Sequence, residues 1–311
     1  MFNEEEVLPH TIAEVTKAME GYTHPWELIL VNDGSTDHSL EIAEGIKKEY
    51  PHLSLCSHAI NQGRGKAIRT GFERAEGEII ISAEADLSYS PHYIREMAEL
   101  LDTHPLVEVV IASPYSRGGK VIGVPPLRAW ISRVGNQILG YALGGEIKTT
   151  TGMLRGYRQY VLRSLDLVSD GKEIHIEILS KVQALGFRTK EIPATLTARR
   201  AGRAKFSFFK TSKSHLLLSF YERPFMVFGL FVMLLLMLGL MGGAYVTYLR
   251  FALVLNPDRP LITLVVILVL GGLQALSFGF IGTQIGTLKR ELYRIQKENL
   301  TLYAFLKKFL K

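Results

Sequence analysis

The chain has 311 residues, of which 47% are hydrophobic and 21% are charged, and its 36 basic and 30 acidic side chains give a formal net charge of +6. This length is too long for a small disulfide-stapled protein, and this apolar content excludes a disordered chain. The single cysteine, Cys56, excludes an intrachain disulfide and a zinc site built from several cysteines.

Short apolar runs alternate with amphipathic stretches in the first two thirds of the chain. This alternation predicts an α/β fold with a doubly wound, largely parallel sheet. The predicted strands cover residues 26–31, 53–57, 78–83, 107–112 and 188–196, and the predicted helices cover residues 66–75, 91–103, 127–143 and 173–185. A further helix follows the turn at residues 32–37 and ends at Lys48, with Ser35 or Thr36 as its N-cap.

Two acidic turns come directly after predicted strands, where ligands of such sheets bind. One turn holds Asp33 in Asn-Asp-Gly-Ser, and the other holds Glu84 and Asp86 on either side of an alanine. Two carboxylates so placed can approach one divalent cation, whose other ligands would be phosphate oxygens and water. The same residues also fit a plain surface turn, with Ser88 or Ser90 as the cap of the next helix.

Basic residues form a second candidate surface. Arg128, Ser132 and Asn136 recur every four residues and share one face of a predicted helix, which can hold a phosphate or face solvent. Arg199 and Lys205 flank a glycine in a loop that can close over a diphosphate or contact lipid headgroups. The scattered histidines form no metal-binding pair, which argues against a histidine-centred hydrolase.

Two uncharged runs, residues 224–249 and 261–288, contain 26 and 28 residues. As helices they would reach about 39–42 Å, enough to cross a hydrocarbon core of about 30 Å with some tilt. We therefore predict two transmembrane helices behind a soluble part, and residues 215–221 along the membrane surface. A very apolar buried hairpin is the alternative interpretation.

Charge predicts the orientation of these helices. Basic side chains lie on the outer side of both runs, at Arg199, Arg200, Arg203, Lys205, Lys210, Lys213, Arg223, Lys289, Arg290, Arg294 and Lys297. The positive-inside rule then places both termini and the soluble part in the cytoplasm. The net charge indicates contact with anionic lipids, and no nucleic-acid-binding module is recognisable. Residues 289–311 are predicted to form a basic amphipathic helix.

Six segments, taken in order, resemble the signatures of family-two glycosyltransferases of the GT-A fold, and among them the polyprenyl- or dolichyl-phosphate sugar synthases. The segments are Phe2-Asn3-Glu4-Glu5, Val31-Asn32-Asp33-Gly34-Ser35-Thr36-Asp37, Asn61-Gln62-Gly63-Arg64-Gly65-Lys66-Ala67, Glu84-Ala85-Asp86-Leu87-Ser88, Thr151-Gly152-Met153-Leu154-Arg155-Gly156-Tyr157-Arg158 and Arg199-x-x-Gly202-x-Ala204-Lys205. The resemblance divides the chain into a catalytic domain (1–205), a membrane-proximal segment (206–223), two membrane helices (224–288) and a C-terminal helix (289–311).

The resemblance implies a role for each motif residue. Glu84 and Asp86 would hold Mg²⁺ or Mn²⁺ on the diphosphate, with Asp86 among the catalytic residues. Arg128 and Ser132 would bind the acceptor phosphate, and together with Asp86 they would be the catalytic residues. Arg117 would also bind the acceptor phosphate, in place of an arginine that the family usually has near Pro114. The residues that would bind the nucleotide sugar are Phe2, Glu4, Asp33, Ala85, Arg199 and Lys205.

Several positions depart from the family pattern. The family's first strand would precede Met1, so a gap in the sheet is expected. Glu84 stands where an aspartate is usual, which changes the reach of this ligand by one methylene. Ser88 replaces an acidic or amide residue, and Ala204 replaces the serine before the loop lysine.

The activity implied is inverting transfer of a hexose, from a donor of the GDP-mannose or UDP-glucose type, to polyprenyl or dolichyl phosphate on the cytoplasmic face. A transferase with another lipid or glycan acceptor, or a non-catalytic membrane scaffold, remains an alternative. Small residues permit close helix approach, so the two spans are expected to associate through Gly239, Gly242 and Gly243, or through Gly271 and Gly272. Such association also allows a homo-oligomer, whose number of subunits does not follow from these residues.

Overall fold

The computed structural model describes residues 1–142, 147–198, 224–252 and 260–309. The chain divides into two compact units, Met1–Ser214 with Tyr293–Lys311, and His215–Leu292. The predicted surface segment at residues 215–221 and the predicted loop residues Arg199 and Lys205 lie outside the described residues.

Strands and helices alternate along the described part of the first unit, as predicted. In chain order they are α1 (Leu8–Met19), β1 (Leu28–Asp33), α2 (Ser39–Lys47), β2 (Leu53–His58), α3 (Arg64–Arg74), β3 (Ile79–Ser82), α4 (His92–Thr103), β4 (Val109–Ser113), β5 (Lys120–Ile122), α5 (Pro126–Ala142), β6 (Arg155–Arg158), α6 (Gln159–Ser164), α7 (Ile174–Ala184), β7 (Thr189–Pro193) and β8 (Thr195–Thr197).

The described strands form mostly parallel sheets, which confirms the predicted architecture. β1 pairs with β2, β4 with β7 and β5 with β8 in parallel, whereas β6 lies antiparallel between β3 and β4. The central sheet therefore has the order β3-β6-β4-β7. The segment before α1 lies against β1, where the Met1 carbonyl accepts a hydrogen bond from the Asp33 N–H at 2.9 Å.

Two apolar clusters hold the helices against these sheets. Met97 and Leu101 of α4 are fully buried with Val110 of β4, because α4 covers the central sheet. Leu8 and Ile12 of α1 pack with a second cluster that includes residues of α2 and β2. Burying side chains of this size stabilises the fold by about 1.5–3 kcal/mol each.

Helix α2 begins later than predicted, so the assignment of Ser35 or Thr36 as its N-cap is wrong. The helix starts at Ser39, whose N–H donates to the Asp37 carboxylate at 3.0 Å. The earlier residues bond to the N-terminal segment instead. The Asn3 N–H donates to the Ser35 hydroxyl at 3.0 Å, and the Thr36 N–H donates to the Asn3 side chain at 2.8 Å.

Among the strands, two differences from the sequence pattern have identifiable reasons. The strand predicted at 188–196 breaks at Ala194 into β7 and β8, which join different sheets. Strand β6 was not predicted because arginines occupy both of its ends. Arg155 is fully buried there, since its guanidinium donates to the carbonyls of His175 (2.7 Å) and Thr150 (2.6 Å).

Two long helices follow, α8 (Pro224–Phe251) in the second unit and α9 (Pro260–Phe309), whose residues up to Leu292 belong to that unit. Phe231–Phe251 and Pro260–Leu288 are long and apolar enough to cross a membrane, in agreement with the predicted spans. Helix α9 continues to Phe309 without a break at residue 289. The span and the predicted C-terminal helix are therefore one continuous helix.

Glycines lie where α8 and α9 meet. A Cβ atom at Gly242 would lie 2.8 Å from the Val265 side chain, and one at Gly272 would lie 2.8 Å from Leu236. The small residues singled out in the sequence thus allow close packing of these two helices with each other. Their predicted use in an oligomer is untested.

A buried carboxylate fixes the loop before α7. The Glu177 side chain is 7% exposed and accepts hydrogen bonds from the Val168 N–H (3.0 Å), the Ser169 N–H (2.9 Å) and the Lys181 ammonium (2.6 Å). Burial by itself raises the pKa of Glu177, but these donors outweigh burial, so the pKa lies below its ordinary value.

We expect Gly242→Leu and Gly272→Leu to destabilise the pair of apolar helices by about 1–3 kcal/mol each, because added side-chain atoms overlap the facing helix. Thermal unfolding of the full chain in detergent, followed by circular dichroism, measures the loss. Gly286→Leu is the matched control, since a Cβ there meets nothing within 4 Å. Equal melting temperatures for all three variants would contradict this packing.

We expect Glu177 to stabilise the first unit above pH 5 and to lose that contribution on acidification. Its folded pKa is lower than its unfolded value of about 4.3, so the stabilisation fades as pH falls through the folded pKa. Glu177→Gln is predicted to cost about 1–3 kcal/mol at pH 7 and less at low pH. Urea unfolding followed by tryptophan fluorescence tests this, with exposed Glu41→Gln as control; a loss independent of pH would refute it.

Candidate active site

The acidic turn after β3 is held rigidly. Asp86 is buried, and its Oδ1 accepts hydrogen bonds from the Ser88 N–H (3.0 Å) and the Ser88 hydroxyl (2.6 Å). The Ala85 carbonyl accepts from the Thr11 hydroxyl of α1 at 2.7 Å. Leu87 takes a left-handed φ of 52°, which a leucine adopts only where the surroundings impose it.

The alternative of a plain helix-capping turn is wrong. Helix α4 begins at His92 after Pro91, with no side-chain capping hydrogen bond among the described residues. Ser88 binds Asp86 instead of a helix terminus, and the Ser90 hydroxyl bonds the His92 ring at 2.8 Å. The turn therefore positions carboxylates rather than starting a helix.

Glu84, the first carboxylate of this turn, meets a guanidinium. Its Oε1 lies 3.3 Å from Nη1 of Arg64, the first residue of α3. The two side chains are 23% and 36% exposed, so the ion pair faces solvent and is partly screened. Arg64 thus brings the start of α3 to the acidic turn.

The donor set of the turn suits a hard divalent cation, since Glu84 and Asp86 offer only carboxylate oxygens. Within the described residues no group of three or more histidine, cysteine, aspartate or glutamate side chains could hold a metal. A cation at this turn would therefore need further oxygen ligands from a phosphate-bearing substrate and from water. With those additional oxygen ligands, the residues present fit the predicted Mg²⁺ or Mn²⁺.

Asp33, the predicted nucleotide ligand, is buried at the end of β1. Its Oδ1 accepts from the Gln62 N–H (2.9 Å) and lies 2.8 Å from His58 Nδ1, while its Oδ2 accepts from the Gly63 N–H (2.9 Å). The carboxylate thereby shapes the turn that leads into Arg64. Nucleotide contact by Asp33 stays a prediction.

The N-terminal segment lies beside this turn. The Glu4 N–H donates to the Ser39 hydroxyl at 2.8 Å, and the Glu4 carbonyl accepts from the first N–H groups near α1. Phe2 stands between Met1, which bonds to Asp33, and Asn3, which bonds to the turn after β1. The structure therefore brings Phe2 and Glu4 to the neighbourhood of Asp33.

On α5, part of the predicted phosphate-binding face is already engaged by contacts with the rest of the protein. The Ser132 hydroxyl accepts from the Tyr115 hydroxyl at 2.7 Å, and the Arg133 guanidinium lies 5.8 Å from the centre of the Tyr115 ring. Arg128 is exposed near the start of the helix, and Arg117 is exposed between β4 and β5.

Asn136 does not extend this face, contrary to the sequence interpretation. Its side chain is buried, and its Oδ1 accepts from the N–H groups of Thr150 (2.7 Å) and Thr151 (3.2 Å). These bonds fix the chain ahead of β6. Arg128 and Ser132 remain as the candidate phosphate ligands of α5.

Buried Tyr89 connects the acidic turn with α5. Burial raises the pKa of its hydroxyl, and the nearby Glu84 carboxylate and Tyr115 raise it further. Tyr89 therefore lies within electrostatic range of the turn and of the tyrosine that bonds Ser132.

Lys172 is a further cation of this region, which the sequence pattern did not reveal. It follows a loop that packs on the start of α3, where the Gly65 N–H donates to the Asp170 carbonyl at 2.7 Å. Burial lowers the pKa of Lys172, and the nearby Arg64 and Arg128 guanidinia lower it further while Glu84 opposes them. The Lys172 side chain is exposed and interacts electrostatically with charged groups of the acidic turn, α3 and α5.

Glycine is required where this loop meets α3. A Cβ atom at Gly63 or Gly65 would collide with the backbone of residues 169–171, and Gly63 has a left-handed φ of 100°. Arg69 of α3 holds the same loop by donating to the Leu167 carbonyl at 2.9 Å and by pairing with Asp170. In the sequence, the two glycines of Asn61-Gln62-Gly63-Arg64-Gly65 are the feature that could have predicted this close contact between the loop and α3.

Comparison with known proteins confirms the fold. Solved structures of glucosyl-3-phosphoglycerate synthase from Mycobacterium tuberculosis superpose with a TM-score of 0.54 for the complex with phosphoglyceric acid and 0.52 for the complex with Mn²⁺ and UDP-glucose. Sequence identity is 18% in both, over 70% and 69% of this chain and 77% and 72% of those chains. This likeness establishes the GT-A-type α/β fold and no more.

The sequence also aligns with named relatives, of which two are described. The undecaprenyl-phosphate 4-deoxy-4-formamido-L-arabinose transferase of Pectobacterium atrosepticum is 29% identical over 218 residues, which is 68% of this chain and 62% of that protein. The dodecaprenyl-phosphate galacturonate synthase of Rhizobium johnstonii is 29% identical over 308 residues, or 94% of this chain and 87% of that protein. The chain thus matches about three fifths of the first relative and most of the second.

The family model "Glycosyl transferase family 2" matches residues 1–166, from the N-terminal segment through α6. The matched part contains both acidic turns, the start of α3 and all of α5. Since the match covers more than half of the sequence and agrees with the fold, the chain belongs to glycosyl transferase family 2.

Proposed function

We propose that this chain transfers a sugar from a nucleoside diphosphate donor to the phosphate of a polyprenyl lipid, with inversion at the anomeric carbon. The observation that carries the proposal is the proximity of two opposite kinds of group. Tyr89, three residues after Asp86, interacts electrostatically with the Glu84 carboxylate and with Tyr115, whose hydroxyl donates to Ser132 of α5. Such a site can hold two anionic substrates facing each other.

The relatives support this substrate pair. Both are named for transfer to a polyprenyl phosphate, one of a formamido-arabinose and the other of a galacturonate. The two apolar helices that follow the first unit are long enough to anchor a chain that acts on a lipid. With the basic segments inside, as the sequence predicts, the reaction would take place on the cytoplasmic face.

The proposed reaction depends on how the two substrates are positioned rather than on activation of a nucleophile by the protein. An oxygen of the acceptor phosphate would attack the anomeric carbon while the bond from that carbon to the diphosphate breaks, and the bonding electrons leave with the nucleoside diphosphate. Because the acceptor is already an anion at neutral pH, no side chain needs to remove a proton. The protein's task is to bring two negative groups together and to offset their repulsion.

We assign Arg128 and Ser132 to the acceptor phosphate, with Arg117 as a further cation. Ser132 is held by the Tyr115 hydroxyl at 2.7 Å, so its orientation is fixed before substrate arrives. Charge-assisted bonds from arginine to phosphate are the strong ones, and they are directional. These contacts would orient the attacking oxygen toward the donor.

We also assign residues to the nucleotide-sugar donor. Glu84 and Asp86 would hold a divalent cation, Mg²⁺ or Mn²⁺, which when bound neutralises charge on the departing diphosphate. A fold neighbour was solved with Mn²⁺ and UDP-glucose. The residues proposed to contact the nucleotide sugar are Phe2, Glu4, Asp33 and Ala85, together with Arg199 and Lys205 outside the described residues.

We expect membranes containing the full chain to form a lipid-linked sugar from labelled nucleotide sugar and polyprenyl phosphate, and EDTA to abolish the product. Asp86→Ala should reduce kcat by at least about 100-fold, because a fixed charge at the leaving group is lost. Arg128→Ala should raise the KM for polyprenyl phosphate about 10-fold or more. Thin-layer chromatography of the extracted lipid measures both.

Exposed Arg163→Ala of α6 is the matched arginine control and should behave as the wild type. Absence of product with every donor offered would end the transferase proposal. Unchanged kinetics in both site variants would remove the assignment of Asp86 and Arg128.

We expect the wild-type chain to bind UDP or GDP in the presence of Mn²⁺, with heat measurable by calorimetry. Asp33→Ala should weaken this binding about 10-fold or more, since it removes the acceptor that shapes the turn before Arg64. Exposed Glu41→Ala on α2 is the control. A chain that binds neither nucleotide would be a scaffold rather than an enzyme.

A further inference from the structure

Asp33, proposed above to contact the nucleotide, is bonded by a side chain to which the proposed function gives no role. His58 is the last residue of β2, and the register of the parallel strands β1 and β2 sets it opposite Asp33 at the end of β1. Its Nδ1 lies 2.8 Å from the Asp33 Oδ1, and the two side chains are 9% and 5% exposed. A short hydrogen bond shielded from water holds a carboxylate more firmly than an exposed one does.

A second contact holds the far side of the imidazole ring. The Nε2 of His58 lies 3.0 Å from the Thr70 hydroxyl of α3. A carboxylate only accepts hydrogen bonds, so Nδ1 carries the hydrogen that Asp33 accepts. The Nε2 of a neutral ring is then an acceptor, and the Thr70 hydroxyl donates to it. Thr70, His58 and Asp33 therefore form a chain of hydrogen bonds that runs in one direction.

Helix α3 is packed in place, so Thr70 is a firm support for the ring. A Cβ atom at Gly71 would lie 3.5 Å from the Val31 side chain of β1, which shows how closely α3 covers that strand. Arg69 also ties the helix to the loop before α7 by pairing with Asp170. The His58 ring is thus held between the end of β1 and a fixed helix, which leaves it little freedom to rotate.

The bonds to Asp33 decide where its remaining acceptor capacity points. The two oxygens of a carboxylate offer about four acceptor positions. Oδ1 accepts from the Gln62 N–H and from His58, and Oδ2 accepts from the Gly63 N–H. The position that remains on Oδ2 is available to a donor group of a nucleotide. Gln62 and Gly63 belong to one turn, whereas His58 donates from a strand and keeps the carboxylate from rotating with that turn.

We propose that His58, supported by Thr70, positions the Asp33 carboxylate for the nucleotide of the donor. His58 is then a positioning residue, which acts through Asp33 and does not itself contact the nucleotide. This inference rests on the proposed function and extends the donor site to β2 and to the second turn of α3.

Calorimetry of the full chain in detergent, with Mn²⁺ and with UDP or GDP, tests this role. His58→Leu should weaken binding of the preferred nucleotide about 10-fold or more, because Asp33 loses a charge-assisted hydrogen bond. His58→Asn should stay within about threefold of the wild type, since the asparagine amide takes the place of Nδ1 and still donates. His58→Gln should bind as weakly as His58→Leu, because its longer side chain carries the amide to the place of Nε2.

His10→Leu, which removes an exposed histidine of α1, is the matched control and should bind as the wild type does. Circular dichroism shows whether each variant folds, and if His58→Leu does not, the asparagine and glutamine variants decide. Equal affinities in His58→Asn and His58→Gln would overturn the inference, because the ring would then only fill space. Wild-type affinity in a folded His58→Leu would also overturn it.

Steady-state kinetics separate positioning from a general distortion of the site. With UDP-glucose or GDP-mannose as donor and polyprenyl phosphate as acceptor, His58→Gln should raise the donor KM about 10-fold and leave the acceptor KM within about twofold. A parallel rise of both KM values would refute the role, since a distorted site binds both substrates poorly.

Calorimetry needs no acceptor, so it distinguishes this inference from the proposed function. If no lipid product forms with any donor, yet His58→Gln loses nucleotide binding and His58→Asn keeps it, the transfer proposal fails and the positioning role stands. If lipid product forms and His58→Gln keeps the wild-type donor KM, the transfer proposal stands and the positioning role fails.

Discussion

The buried carboxylate of Asp33 organises the site more than any other single group. It accepts hydrogen bonds from the Gln62 and Gly63 N–H groups and contacts His58, so it fixes the turn that leads into α3. The start of α3 then carries Arg64 to Glu84 and presents Gly65 to the Asp170 carbonyl. Because a buried acceptor cannot be left without donors, this arrangement resists change.

The rest of the site follows from that arrangement by contact. The loop that ends at Lys172 can approach α3 only because Gly63 and Gly65 have no Cβ, and Arg69 and Glu177 hold the loop from two sides. Charges of both signs are thereby fixed near one another on separate elements. Under the proposed function, a site built in this way would be arranged for anionic substrates before they bind.

Much of the fold could be predicted from the sequence, because buried strands and amphipathic helices have distinct periods. The helices at 66–75 and 91–103 and the strand at 53–57 are found within a few residues of their predicted ends. Strand β6 escaped prediction, since Arg155 is buried by hydrogen bonds to distant carbonyls rather than by apolar character. Asn136 was misread for a similar reason, because helical spacing cannot tell a phosphate ligand from a buried contact with Thr150.

The sequence by itself determined the local features of this protein: two uncharged runs of membrane-spanning length, acidic turns after strands, and glycines at the start of α3. Each of these is a property of neighbouring residues, so a single chain segment reveals it. Only the tertiary structure decided that Arg64 contacts Glu84, which is 20 positions away in the sequence, and that the Gly65 N–H donates to the Asp170 carbonyl. Such pairings depend on which loops pack together, and side-chain periodicity carries no information about them.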